Sequence, residues 1–115
     1  MDSNLIFYTS TIRYSGDNRL DISIKSSNFN TGRIFAPTWD LVNLVKENKI
    51  TEKEYVLQYK KLMRDSYELN KDKWIEFLNK EQLVLCCYCP PLTFCHRYIL
   101  TDLLLKFGAT YKGEI

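Results

Sequence analysis

The run Leu83-Val84-Leu85-Cys86-Cys87-Tyr88 carries no charge and no polar alternation. A strand that offers no face to water must be covered on both sides, as in a parallel sheet flanked by helices. Pro90-Pro91 follows almost at once, and a central strand cannot continue through it. The chain therefore turns there. Thr93 is the expected N-cap of a last helix. Ile99, Leu100, Leu103, Leu104 and Phe107 form that helix's inward stripe, and Gly108 is its expected stop.

The rest of the chain supplies companions for this strand. Leu5-Ile6-Phe7-Tyr8-Thr9 reads as a first strand ending in Ser10-Thr11, and Gly16-Asp17-Asn18 as a turn. Leu20-Asp21-Ile22-Ser23-Ile24 alternates apolar and polar, the period of a strand with one buried face. Pro37-Thr38-Trp39 opens a first helix with Thr38 as N-cap and Trp39, Leu41, Val42, Leu44 and Val45 apolar. Thr51-Glu52-Lys53-Glu54 is a capping box ahead of a second helix carrying Tyr55, Tyr59, Leu62 and Met63 on one face. A third helix is expected near Asp72–Lys80, and Ala109–Ile115 as a final edge strand. Strands separated by helices predict an α/β layer fold. The expected form is a small, mostly parallel sheet of three to four strands with about four helices in Rossmann-like layers.

With 115 residues the chain is expected to be one domain spanning 1–115. An apolar fraction of 45% and an aromatic fraction of 14% exclude a disordered chain. The net charge of +2 gives no general pull toward nucleic acid or membrane. No apolar run follows a basic start, so no signal peptide is expected, and no apolar stretch reaches membrane-spanning length. Cys86, Cys87, Cys89 and Cys95 crowd together instead of tying distant segments, which favours reduced thiols and a cytoplasmic location.

The chemistry concentrates at the strand-to-helix turn. In open α/β sheets ligands bind at the carboxyl ends of strands, and the free amides of a helix N-terminus attract anions. Arg97 adds a charged fork suited to phosphate or carboxylate, and the same surroundings favour a thiolate at Cys95. Cys95 and His96 are the candidate catalytic pair. Arg97, Arg13, Thr9, Ser10 and Cys87 are the candidate ligand-binding residues, the first strand's polar end lying beside that of the Cys87 strand.

Plainer roles stand beside these. On a helix of about 3.6 residues per turn, His96 shares a stripe with Leu100, Leu103 and Phe107, which suits a hydrogen-bonded core histidine. Arg97 can pair with Asp102 or Glu114, and Cys95 can be a small buried hydrophobe. Zinc is weighed and set aside, because Cys86 and Cys87 face opposite sides of a strand and no second ligand pair lies elsewhere in the chain. No metal and no cofactor are assigned. The lysines of 46–53 and 60–73 read as solvated faces.

Taken together, the Leu83–Cys87 strand, the Pro-containing turn, Cys95-His96-Arg97 and the helix opening with Ile99-Leu100 resemble the signature of the domain of unknown function 488 family. Ile6-Phe7-Tyr8-Thr9-Ser10 and Ala36-Pro37-Thr38-Trp39-Asp40-Leu41 are similar to its phage and bacterial members. The resemblance implies an α/β domain without an assigned reaction. Members carry an acidic residue shortly after the strand's cysteine, where this chain has Cys89.

Three uses of the segment follow. One is an enzyme on a phosphorylated or nucleotide-like molecule, with Cys95 as nucleophile, His96 as acid–base group and Arg97 with Arg13 as anion clamp. Another is a non-catalytic module for a small anionic ligand, a nucleotide or a nucleic-acid end, the last of which bulk charge does not favour. A third is a small phage-type interaction protein whose cysteines only pack the core. No partner chain or oligomeric state is assigned.

Overall fold

A computed structural model describes residues 3–115. It contains strands β1 (Ile6–Thr11) and β2 (Arg19–Asp21), a short 3-10 turn at Arg33–Phe35, helices α1 (Trp39–Lys46), α2 (Glu52–Leu69) and α3 (Lys71–Leu78), strand β3 (Gln82–Cys87), helix α4 (His96–Leu105) and strand β4 (Thr110–Glu114). The four strands form one all-parallel sheet in the order β2-β3-β1-β4. This is the α/β fold expected from the sequence.

The apolar run forms β3, next to the centre of the sheet, and Leu83 through Cys87 are all buried. Leu83, Leu85 and Cys87 join the main core with Phe7, Tyr59, Trp74 and Leu100, while Val84 and Cys86 are buried outside it. Alternate residues of one strand therefore feed opposite faces. Burying each such side chain contributes roughly 1.5–3 kcal/mol.

The helix starts follow their capping chemistry. Thr38 accepts a hydrogen bond from the Leu41 amide. Thr51 and Glu54 cap α2 reciprocally, as the sequence motif requires. After α4, Gly108 takes a φ of 90°, the left-handed conformation that ends a helix without a Cβ penalty.

Element ends shift by a few residues in several places, and two of the differences bear on the cavity. The second strand stops at Asp21 instead of running to Ile24. The Asp21 carboxylate accepts from the Ser23 amide at 2.9 Å, from the Ser23 hydroxyl at 2.7 Å and from the Ser26 hydroxyl, so side-chain bonds bend the backbone out of the sheet. The last helix begins after Cys95, not Thr93. Thr93 donates to the Pro90 carbonyl at 2.7 Å and closes the turn, with Leu92 at a φ of 61°. Among the described residues no helix is long and apolar enough to cross a membrane.

Candidate functional site

β1 and β3 run side by side with Thr11 opposite Cys87, so their carboxyl ends are neighbours as expected. Just past β3, the turn at 88–94 returns the chain so that Cys95 lies against Cys87. Their sulfurs are 2.9 Å apart. Cys89 completes a cluster in which all three Sγ atoms lie within 4.8 Å of one another. Cys86, one residue earlier on the opposite face, is outside it and directs its thiol at the Val84 carbonyl. Burial pushes the Cys86 thiol up to about 11.

The three clustered thiols behave as a unit. Hydrogen bonding from Cys87 and then from Cys95 pulls Cys89 down to about 3, with Arg97 and Lys46 helping electrostatically. The bonds with Cys87 and Cys89 hold Cys95 well above the ordinary thiol range. The cluster thus favours a negative sulfur at Cys89, and Cys89 is also its half-exposed member.

Arg97 braces this cluster from within. It is fully buried, and its Nη1 donates to Cys87 Sγ at 2.8 Å and to the Cys89 carbonyl at 3.0 Å. Nη2 donates to the Tyr98 hydroxyl at 3.0 Å and pairs with Glu114 at 3.3 Å. Nε is the one buried side-chain nitrogen or oxygen without a hydrogen-bond partner among the described residues. Burial opposes the guanidinium charge, but the Cys87 sulfur and the Tyr98 hydroxyl more than compensate and raise its pKa. The pairing with Glu114 is one of the plainer roles read from the sequence.

His96 is buried on the core side, as its helical stripe predicts. Its Nε2 lies 2.8 Å from the Ile22 carbonyl. A carbonyl only accepts, so Nε2 carries the proton and Nδ1 is the free acceptor. Nδ1 faces Cys95 Sγ at 3.8 Å. Burial first of all depresses the His96 pKa, which keeps the ring neutral.

A cavity of about 170 Å³ opens onto Cys87, Cys89, Cys95 and His96. Its walls include Tyr55 from α2, Trp39 and Val42 from α1, and Tyr88 and Phe94 from the turn. Trp39 is 51% exposed and Tyr88 46%, so aromatic faces meet solvent at the opening. Two cations also line it, Lys46 at the end of α1 and Lys25 in the loop after β2. Lys25 Nζ sits 4.9 Å from the Tyr88 ring centre, and the Asp21–Ser23–Ser26 bonds hold that loop in shape.

Of the residues singled out in the sequence, Cys87, Cys95 and His96 meet at the cavity, and Arg97 backs them without lining it. Thr9, Ser10 and Arg13 do not line it. Thr9 hydrogen-bonds the Tyr111 hydroxyl at 2.6 Å, Ser10 donates to the Ile115 carbonyl at 2.9 Å, and Arg13 is exposed. Sequence reasoning placed Trp39 and Tyr55 on the apolar faces of their helices and Lys46 on a solvated face, named Cys89 only in the cysteine cluster and at the family's acidic position, and did not use Lys25. The one available signal was Trp39 directly after a helix cap, where a large ring lies at an element's edge.

Residues 27–108 match the family model described as the active DUF488-N3 subclade. No curated protein and no solved structure matches the chain. The matched span is well over half the chain and contains α1, the three clustered thiols and the Cys95-His96-Arg97 triplet, and the chain belongs to the DUF488 family.

Proposed function

We propose that the cavity binds a small anionic molecule with a planar group, of nucleotide type, and that Cys95 and His96 act on it. One observation carries this reading: a sulfur and an unprotonated imidazole nitrogen face each other at 3.8 Å on a cavity wall, with the far side of the ring anchored on a carbonyl. Nucleophile, base and orienting acceptor are the parts a thiol-dependent enzyme needs. His96 Nδ1 is placed to take the Cys95 proton, which leaves that sulfur as a nucleophile toward the ligand. Lys25 and Lys46 replace Arg97 and Arg13 as the anion clamp, since both Nη atoms of the buried Arg97 are taken up by internal partners and neither arginine lines the cavity. Trp39 and Tyr88 offer faces on which a base can stack.

Titration with a nucleoside monophosphate such as AMP tests the binding half. Saturable binding is expected, weakened about tenfold by Lys46→Ala, equivalent to about 1.4 kcal/mol, and weakened by salt. Binding that ignores both the lysine and the salt would remove the assignment. For the chemical half, alkylation of Cys95 by iodoacetamide is expected to slow about 100-fold in His96→Asn. The high proton affinity of Cys95 favours a second reading, a binding module without catalysis. In that case Cys95 alkylates more slowly than free cysteine in both proteins, and AMP binding survives Cys95→Ala.

A further inference from the structure

We propose that Cys87, Cys89 and Cys95 form a three-thiolate site for a zinc-class cation, with its fourth coordination position open to the cavity. The inference does not depend on the organic ligand proposed above.

Geometry carries it. A tetrahedral zinc centre with bonds of about 2.3 Å sets its sulfurs roughly 3.8 Å apart. The three sulfurs span separations from 2.9 Å to within 4.8 Å, which bracket that value. Small rotations about Cα–Cβ bring them to it. The three residues come from a strand end, the residue after its turn begins and a helix cap, so backbone on three sides fixes their approach. All three also line the cavity, so a cation held there has protein on one side and an open position on the other. Three protein ligands with one open position is the pattern of a reactive, not a sealed, zinc site.

The surroundings suit the charge. Each ligating thiol releases its proton to solvent, and three thiolates around a divalent cation leave a single negative charge. Arg97 Nη1 already donates to Cys87 Sγ at 2.8 Å and reaches Cys95 Sγ at 4.0 Å. N–H···S bonds of this kind orient thiolate ligands and offset their charge. Cys89, half-exposed, provides the entry path. The sequence argument against zinc concerned Cys86 and Cys87, and it holds: Cys86 points away. It missed that the 88–94 turn supplies Cys89 and Cys95 instead.

Occupancy by the metal and nucleophilic use of Cys95 exclude each other. The test titrates the reduced full chain with Cd(II), reading sulfur-to-metal charge-transfer absorption, and with Zn(II) against a chromogenic chelator. One equivalent is expected to bind the unmodified protein and Cys86→Ser alike. Cys89→Ser, at the least buried of the three positions, is expected to lose more affinity than the roughly 10- to 100-fold typical of a lost supporting contact. Far-ultraviolet circular dichroism checks that each variant is folded. Absence of the absorption band, or equal losses in Cys86→Ser and Cys89→Ser, overturns the site. AMP binding measured with a chelator present reads the other proposal separately, so the two can fail independently.

Discussion

β1 and β3 are adjacent parallel strands with paired ends, yet only the β3 end opens onto the cavity lined by Cys87, Cys95 and His96. At β3 the chain leaves the sheet through a turn carrying Cys89, Leu92 and Thr93 and re-enters as α4, leaving a cavity between the turn, α1 and the loop after β2. At β1 the parallel partner β4 runs alongside; Tyr111 near its start takes up the hydroxyl of Thr9, and Ile115 just after it that of Ser10. The carboxyl end of a strand is a place where ligands can bind. Whether it becomes a site depends on what the next element covers. β4 satisfies the polar groups of β1 internally, whereas the β3 turn leaves thiols and an imidazole facing space.

The sharpest contrast lies in the two arginines of these ends. Arg97→Ala removes a fully buried guanidinium from Cys87, the Cys89 and Pro90 carbonyls, Tyr98 and Glu114. It leaves Glu114 without its charge partner and opens a void. The expected loss is about 3–5 kcal/mol, the cost of breaking a buried pair on one side, read as a drop in denaturation midpoint. A loss below about 1 kcal/mol would mean that Arg97 does not brace the β3 end, and the contrast with Arg13 would collapse.

Much of this molecule is legible in its sequence, for identifiable reasons. The polarity-free run defined β3, and Thr38, Thr51 with Glu54, and Gly108 marked helix ends because their bonds are local. The meeting of Cys95 and His96 at a cavity followed from one strand-to-helix junction. The parts that were not legible depend on long-range placement. Asp21 looked like the polar position of a strand, but its carboxylate had a better set of donors in Ser23 and Ser26. The convergence of Cys89 on Cys87 and Cys95 requires a turn with Leu92 in the left-handed region, which no residue type there announces. Trp39, Lys46 and Lys25 share an opening only because α1 and the β2 loop flank it. The hydroxyls of Thr9 and Ser10 were correctly aligned beside β3, and a strand from the other end of the chain claimed them.

Tyr59 gives a middle-sized test of the β3 side. Its hydroxyl donates to the Phe35 carbonyl at 2.7 Å, and its ring lies 5.7 Å from that of His96. Tyr59→Phe is expected to cost about 1 kcal/mol, the net value of one buried hydrogen bond. Burial raises the Tyr59 pKa well above 10.0, so the folded protein holds this proton where the unfolded chain releases it. The stabilisation is complete below pH 10 and falls as pH rises beyond it, because the unfolded state then binds fewer protons. Denaturation midpoints measured from pH 8 to 11 should fall more steeply for the unmodified protein than for Tyr59→Phe. Parallel curves would show that Tyr59 ionises as freely in the folded state as in the unfolded one.

The effects expected at the β1 end are no larger than this, and they are the most discriminating for the location of the site. Thr9→Val keeps the shape of the side chain and removes one hydrogen bond, to the Tyr111 hydroxyl. It should cost about 1 kcal/mol and leave AMP affinity unchanged. Arg13 is exposed and outside the cavity wall, so Arg13→Ala should change stability by less than about 0.5 kcal/mol. AMP affinity should also stay within about twofold, because an exposed charge beyond the opening is screened by salt. A tenfold loss of affinity on Arg13→Ala, matching that of Lys46→Ala, would mean that ligand bridges both strand ends. The two ends would then form a single site, with β4 bordering it instead of closing half of it off.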